Sequence, residues 1–199
     1  MNSLNTVFAI CMTLVSMISY AEIPIPISAN TWSEVKLLSG ISSSQDPGLK
    51  NNLYIFFDPN CHICARLINQ DKSALEKSLT DEPTVEGSAS LAPAAIWIPV
   101  AYMKPSSRDM AAAMLRSQSF KSISKNFQNF NFEKRQGFTI EVVPTSREIN
   151  NLAQAKQVWS KLGGGTPMFV YQDKQGKYLK FIGIPPDAQL KKMFDQIAD

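Results

Sequence analysis

The fold is decided by the segment Leu53-Tyr54-Ile55-Phe56-Phe57-Asp58-Pro59-Asn60-Cys61-His62-Ile63-Cys64. Its first five residues are all apolar or aromatic, a pattern typical of a central strand that is buried on both faces. Asp58-Pro59-Asn60 ends this strand, and a helix is predicted to begin at or near Cys61. The predicted apolar face of that helix comprises Cys64, Leu67, Ile68, Leu75 and Leu79.

The two cysteines are spaced as C-x-x-C, and Cys61 would stand at the N-terminal end of the helix. Backbone N–H groups and the helix dipole stabilise negative charge at that end, which lowers the pKa of a thiol and makes it a nucleophile near neutral pH. Cys64 would lie one turn further in and more buried, where it could resolve a mixed disulfide formed at Cys61. A strand, a turn, C-x-x-C and a helix in this order predict a redox-active pair.

Two alternative roles for the cysteine pair stay open. A structural zinc site needs about four nitrogen or sulfur ligands, whereas the chain after residue 21 holds two cysteines and a single histidine. An inert structural disulfide would close too short a loop to constrain the unfolded chain much. We therefore expect no metal and no other cofactor.

Three neighbouring side chains carry separate interpretations. His62, when protonated, would stabilise the Cys61 thiolate and make the pair more oxidising; the alternative is an exposed histidine with little influence. Ile63 would offer an apolar contact surface beside the thiols. Asp58 would cap the helix or end the strand, or, less expected, accept a proton.

The C-terminal third contains a second element of interest, Thr166-Pro167. It follows the glycine run at 163–165 and precedes an apolar strand at Met168–Tyr171. From these residues alone it is a turn entering a sheet, because X–Pro bonds are cis only a few per cent of the time in folded proteins. A second strand at Tyr178–Ile182 completes a hairpin. Pro185-Pro186-Asp187 then opens a last helix whose inner face is Leu190, Met193, Phe194 and Ile197.

Between the two halves the sequence predicts a mostly helical insertion over about 105–162. It follows a strand over 94–103 that Pro99 bends or interrupts and Pro105 ends, and Ser106 or Ser107 can cap the next helix. Residues 81–90 are predicted as a loop, and 137–143 as a short strand or loop. Two helical stripes mark the insertion: Phe120, Ile123, Phe127 and Phe130, and then Leu152, Ala155, Trp159 and Leu162.

The first 21 residues carry no Lys, Arg, Asp or Glu, and an apolar run from Val7 to Ile18 has the length of a signal-peptide core. Small residues at Ser19 and Ala21 predict cleavage after Ala21 and export to the periplasm; an uncleaved membrane anchor is the alternative. Residues 22–52 are predicted as a short segment. It comprises an extended edge at 23–27, a helix to about residue 38 with a capping box at Thr31–Glu34, and a polar loop at 42–52.

Composition bounds the remaining possibilities. The chain has 199 residues, of which 44% are hydrophobic and 19% charged, a balance typical of one globular domain. The net charge is +3 and no block of Lys or Arg occurs. Nucleic-acid binding therefore has no support.

Four separated segments resemble the DsbC/DsbG family of periplasmic disulfide isomerases and reductases, which belongs to the thioredoxin superfamily. They are residues 54–64, Gly165-Thr166-Pro167, residues 98–107 with 111–115, and Gly183-Ile184-Pro185. The third and fourth are similar to the DsbG branch in particular. The resemblance covers about residues 50–199.

The resemblance implies an α/β thioredoxin-like fold over residues 53–199, with the helical insertion between its βαβ and ββα halves. It makes Cys61 the attacking thiolate and Cys64 the resolving thiol, and it places Thr166 and a cis-Pro167 opposite them to bind substrate backbone. Members of the family act on misoxidised or sulfenylated cysteines of exported proteins and are kept reduced by a membrane electron donor.

Three features depart from the pattern. The roughly 30 residues between Ala21 and Leu53 are too few for the family's dimerisation domain, which favours a monomer and argues against isomerase activity. The dipeptide His62-Ile63 differs from the usual pair, so the redox poise does not carry over. The buried acid of thioredoxins proper is replaced by an apolar residue near Ile55.

We therefore expect a periplasmic thiol–disulfide oxidoreductase of the isomerase or reductase type, with a membrane thiol reductase or oxidase as its redox partner. The alternative is a non-catalytic, chaperone-like or secretion- or conjugation-associated binding module on the same fold. Ile63, Met168 and the phenylalanines of the insertion motivate that alternative, although ordinary core packing would also account for the phenylalanines.

Overall fold

The computed structural model describes residues 24–44, 53–70, 95–138 and 142–197. Within these ranges the strands form one six-stranded sheet in the order β1-β6-β5-β3-β4-β2. Only β3 and β4 run parallel, and every other neighbouring pair is antiparallel. The strands are β1 (Ile25–Pro26), β2 (Ile41–Ser42), β3 (Leu53–Phe57), β4 (Ala95–Pro99), β5 (Met168–Gln172) and β6 (Tyr178–Ile182).

Helices cover both faces of this sheet. In the described residues they are α1 (Ala29–Lys36), α2 (His62–Gln70), α3 (Pro105–Ser117), α4 (Phe120–Gln128), α5 (Ser146–Lys161) and α6 (Asp187–Gln196). None of them is both long and apolar enough to cross a lipid bilayer.

Strand β3 is the centre of the sheet. All five of its residues are buried, because β4 and β5 pair with its two edges and helices cover its two faces. Leu53, Ile55 and Phe57 belong to a core shared with α2, α3, α4 and α6. The alternate residues Tyr54 and Phe56 belong to a second core shared with α1 and α5. The continuous apolar run therefore reflects burial on both faces.

The predicted order of elements is confirmed: strand, helix and strand, then the helical insertion, then two strands and a helix. The predicted edge segment is also confirmed, since Ile25 and Pro26 pair with β6 at the margin of the sheet. The two-residue strand β2 was not predicted, because two residues cannot establish a periodic pattern.

Three predicted details are wrong. Helix α1 begins at Ala29 and not at the Thr31 capping box, because Ser28 supplies the capping oxygen and accepts from the N–H of Thr31 at 3.1 Å. Strand β4 ends at Pro99 and not at residue 103. Helix α3 begins at Pro105, so Ser106 and Ser107 lie inside its first turn and do not precede it.

Several predictions fall outside the described residues. These are the signal segment at 1–21, most of the polar loop at 42–52, Leu75 and Leu79 of the helix face, the loop at 81–90, and residues 139–141.

Candidate active site

Cys61 is the residue from which helix α2 begins. Its carbonyl accepts from the N–H of Ala65 at 3.0 Å, and its own N–H donates to the carbonyl of Asp58 at 2.9 Å. Its Sγ accepts a hydrogen bond of 3.1 Å from the backbone N–H of Cys64, as a capping side chain does. Both cysteines are free thiols and both are buried, Cys61 with 1% and Cys64 with 0% of its surface exposed.

The two thiols have opposite acidities. The pKa of Cys61 falls from 9.0 to about 7, chiefly because the Cys64 thiol donates a hydrogen bond to it. Burial opposes this lowering of the pKa, while the Thr166 side chain and the backbone of Cys64 and Ile63 add to it through hydrogen bonds. The pKa of Cys64 is raised well above 9.0, because the residue is fully buried and donates to Cys61. One sulfur is therefore easily ionised while its neighbour keeps its proton.

His62 and Ile63 are half-buried beside the cysteines. The pKa of His62 lies below 6.5, first because of burial and then because of the positive charges of Arg135 and Arg66. Its Nδ1 is buried without a hydrogen-bond partner. Since the imidazole is mainly neutral at pH 7, the acidity of Cys61 has other sources there, and tuning by His62 stays a prediction. Ile63 packs against the edge of the core that contains both thiols.

Asp58 organises the loops around the site. It is completely buried, and its carboxylate accepts four hydrogen bonds. Its Oδ1 accepts from the N–H of Asn60 and the hydroxyl of Ser107, each at 2.8 Å. Its Oδ2 accepts from the N–H groups of Tyr102 at 2.8 Å and Met103 at 3.0 Å. Asp58 thus ends β3, as predicted, but it does not cap α2. It also turns the chain away from the sheet after β4, which is why that strand is shorter than predicted.

The loop before β5 lies against the thiol of Cys61. The Thr166–Pro167 peptide bond is cis, in agreement with the resemblance. The Cys61 thiol donates to the carbonyl of Thr166 at 3.4 Å. Thr166 is 9% exposed, and its hydroxyl shares a 2.8 Å hydrogen bond with the hydroxyl of Tyr102. The structure therefore brings together the two elements that the sequence singled out, although they are 105 residues apart.

Two aromatic residues at the site were not recognised as part of it. The ring of Tyr102 lies on that of Trp159 with 4.5 Å between centroids. The indole Nε1 of Trp159 donates to the carbonyl of Gly165 at 2.7 Å. Trp159 lies on the buried helix face that the sequence predicts, and its position just before the glycine run is a signal for the site. For Tyr102 the periodicity gives no signal, because it lies in a stretch predicted as strand, and only the resemblance over residues 98–107 includes it.

The phenylalanines of the insertion are mostly core. Ile123 and Phe127 are completely buried and Phe130 is 7% exposed. Met168 is also completely buried, within the sheet. Core packing therefore accounts for most of the apolar residues that motivated a binding module.

Within the described ranges, no group of three or more His, Cys, Asp or Glu side chains is placed to hold a metal ion.

No protein-family model matches this chain, and no curated protein matches it by sequence. Solved structures do match. A periplasmic thioredoxin-like protein from Salmonella enterica serovar Typhimurium has a TM-score of 0.56 and 18% identity, covering 86% of this chain and 97% of its own. The catalytic domain of Proteus mirabilis ScsC has a TM-score of 0.53 and 22% identity, covering 84% of this chain and 94% of its own.

A third match is the thiol-disulfide exchange protein alpha-DsbA2 from Wolbachia pipientis, with a TM-score of 0.53 and 15% identity, covering 83% of this chain and 91% of its own. These structures do not single out the DsbC/DsbG family, so that closer resemblance stays a prediction. At such identities the likeness concerns the fold. The chain has a thioredoxin-like fold with a helical insertion between its two halves.

Proposed function

We propose that this chain is a periplasmic thiol–disulfide oxidoreductase of the reductase or isomerase type, acting through Cys61-His62-Ile63-Cys64 on exported proteins. The observation that carries the proposal is the geometry of two free thiols at one helix end, where the Cys61 sulfur accepts from the backbone N–H of Cys64 at 3.1 Å and lies 3.4 Å from the carbonyl of Thr166. The opposite acidities of the two thiols agree with this geometry. With a pKa of about 7, Cys61 is about half thiolate at pH 7, compared with about 1% for a thiol of pKa 9.0.

The chemistry follows from this difference. The Cys61 thiolate attacks one sulfur of a substrate disulfide, forms a mixed disulfide and releases the other substrate sulfur as a thiolate. Cys64 then loses its proton and attacks the Sγ of Cys61, which breaks the mixed disulfide and releases the second substrate thiol. The substrate disulfide gains two electrons, and the cysteine pair loses two as it forms its own disulfide.

The raised pKa of Cys64 shapes the second step. While Cys61 is a free thiolate, its charge and its hydrogen bond keep the proton on Cys64. Once Cys61 is bonded to a substrate sulfur, its negative charge is gone and Cys64 ionises more easily. Deprotonation of the resolving thiol is therefore coupled to capture of the substrate.

The acidity of Cys61 supports a reducing or isomerising role over that of a strong disulfide donor. The attacking cysteine of thioredoxin has a pKa of about 7, and that of the strong oxidant DsbA has a pKa of about 3.5. A more stable thiolate stabilises the reduced form and makes the pair more oxidising. Cys61 resembles the first case. The resemblance of the sequence to the DsbC/DsbG family points in the same direction.

Substrate and partners complete the proposal. The cis-proline loop at Thr166-Pro167 lies next to the Cys61 sulfur and would bind the backbone around a substrate cysteine. The substrates would be exported proteins with oxidised cysteines, and a membrane thiol reductase or oxidase would exchange electrons with the pair. The apolar segment at 7–18 would direct the chain to the periplasm, where it would act as a monomer.

The test is reduction of insulin by dithiothreitol, measured as turbidity. We expect the chain to accelerate the reaction and Cys61→Ser to abolish the acceleration. Cys64→Ser should accumulate a mixed disulfide that survives denaturing gel electrophoresis without reductant. Tyr178→Phe is the control, since Tyr178 stacks on Trp32 and not on the cysteine pair, and it should leave the rate unchanged. Full activity of Cys61→Ser would refute the proposal.

Equilibration with glutathione then decides the direction. A reducing potential, near that of thioredoxin at about −270 mV, supports a reductase or isomerase. A potential near that of DsbA, at about −120 mV, would identify a disulfide donor.

A further inference from the structure

Tyr102 reaches the candidate site from the loop after β4, and two independent supports hold it. Its backbone N–H donates to the buried Asp58 carboxylate at 2.8 Å. Its ring lies on Trp159, whose indole N–H also holds the carbonyl of Gly165, the residue before Thr166. Although 38% of Tyr102 is exposed, its hydroxyl is therefore held in a fixed position relative to the cis-proline loop.

The hydroxyls of Tyr102 and Thr166 share a hydrogen bond of 2.8 Å, in which either oxygen can be the donor. In both directions this bond fixes the Thr166 side chain relative to the Tyr102 ring. The carbonyl of Thr166 lies 3.4 Å from the Cys61 sulfur, and hydrogen bonding by the Thr166 side chain lowers the pKa of Cys61.

Tyr102 keeps its hydroxyl proton while Cys61 titrates. Its pKa is raised to about 12, first by burial and further by the negative charges of Cys61, Asp58 and Cys64, although the hydrogen bond with Thr166 opposes the rise. The hydrogen bond between the two hydroxyls therefore persists across the pH range in which Cys61 ionises.

Resting on the proposed function, we propose that Tyr102 is a positioning residue for the cysteine pair: its hydroxyl holds the side chain of Thr166, and with it the cis-proline loop, against Cys61. The Cys61 thiol donates to the Thr166 carbonyl, so a displacement of Thr166 changes the hydrogen bonds that surround the sulfur.

The test is the substitution Tyr102→Phe, which keeps the ring on Trp159 and removes only the oxygen. We expect the pKa of Cys61 to rise by roughly 0.5 to 1 unit, which is a three- to tenfold smaller thiolate-to-thiol ratio at a given pH. The equilibrium with glutathione should shift towards the protein disulfide. Thiolate absorbance against pH gives the pKa when the Cys61→Ser curve is subtracted.

Two further variants separate positioning from a general structural effect. Thr166→Val alone should raise the pKa of Cys61, and adding Tyr102→Phe to it should raise the pKa no further. Tyr178→Phe is the matched control, since Tyr178 stacks on Trp32 at the far side of the sheet, and it should leave the pKa of Cys61 unchanged. The inference is overturned if Tyr102→Phe folds with an unaltered Cys61 pKa. It is equally overturned if its effect is undiminished in the Thr166→Val background.

Failure of the proposed function has a different signature. The pKa of Cys61 is measured without any disulfide substrate. If Cys61 is acidic and its pKa responds to Tyr102→Phe, but the chain does not reduce insulin, the proposed function is refuted. The positioning role of Tyr102 would still stand.

Discussion

The backbone N–H of Cys64 donates a 3.1 Å hydrogen bond to the Sγ of Cys61, so the sulfur that begins helix α2 is held by the residue one turn further on. The Cys64 thiol adds a second hydrogen bond, which is the largest single cause of the low Cys61 pKa. Backbone and side chain of one residue therefore both stabilise the charge on the other.

Replacing the Cys64 thiol tests this arrangement. We expect Cys64→Ala to raise the pKa of Cys61 by about one unit, because a hydrogen bond to a charged acceptor is lost while the backbone N–H remains. Cys64→Ser keeps a hydroxyl donor and should raise it less. The rate of alkylation by iodoacetamide against pH gives both values. Identical profiles for Cys64→Ala and the unchanged chain would contradict the assignment.

The single histidine allows a direct measurement of local charge. We expect the pKa of His62 to lie below 6.5 and to rise in Arg135→Gln and in Arg66→Gln, because each substitution removes a positive charge that disfavours imidazolium. Because the chain has one histidine, proton NMR of the imidazole signals measures this pKa without the need to distinguish several histidines. Arg108→Gln is the control, since Arg108 pairs with Asp109 at the surface and should leave the titration unchanged.

Two glycines with the same backbone angle form a matched pair at the cis-proline loop. Gly165 and Gly183 both have φ of +94°, so an alanine at either should cost about 1 kcal/mol in backbone strain. A Cβ at Gly165 would also lie 2.7 Å from Cγ2 of Ile182, whereas nothing lies within 4 Å at Gly183. We expect Gly165→Ala to lower the free energy of unfolding, measured in urea, by about 1–3 kcal/mol more than Gly183→Ala does. Equal losses would show that the loop accommodates the methyl group.

The buried carboxylate of Asp58 should be essential to stability. Asp58→Asn replaces an acceptor oxygen with an NH₂ group that faces existing donors, so we expect a loss of about 3 kcal/mol in the free energy of unfolding. Asp109→Asn makes the same chemical change at an exposed ion pair and should cost less than about 1 kcal/mol. Urea unfolding at pH 7 compares the two variants. Similar losses in the free energy of unfolding would refute the conclusion that the hydrogen bonds of Asp58 hold the loops around the site.

An ion pair in the insertion predicts a pH dependence. The pKa of Glu148 is lowered from 4.5 to about 2, chiefly by Arg116 and then by the N–H of Thr145. A lowered carboxyl pKa stabilises the folded state above pH 4.5, and this stabilisation is lost as the pH falls from 4.5 towards 2.

Glu148→Gln should therefore be less stable than the unchanged chain at pH 7, and the difference should shrink below pH 4.5 and vanish near pH 2. Thermal unfolding at a series of pH values measures it. Arg116→Gln should show the same pH window, since it removes the partner. A stability difference that is constant with pH would exclude the ion pair as its cause.

Local patterns were enough to predict most elements and the cysteine pair. The apolar run at 53–57 is typical of a strand buried on both faces, and a C-x-x-C motif at the start of a helix places one sulfur next to unpaired backbone N–H groups. The hairpin at 168–182 and the helix stripes follow from the same short-range periodicities. Helix caps were less predictable, because Ser28 and Thr31 are both good capping residues and the backbone before the helix selects between them.

The sequence by itself therefore determined the elements, their order and which sulfurs could react, since each depends on residues within about two helical turns of one another. Only the tertiary structure decided how acidic Cys61 is and what holds it. Tyr102 and Thr166 stand 64 residues apart and meet because β4 and β5 flank β3 in the sheet. Hydrogen bonds between such distant residues depend on the order of the strands and the direction of the loops, and neither can be predicted from a local sequence pattern.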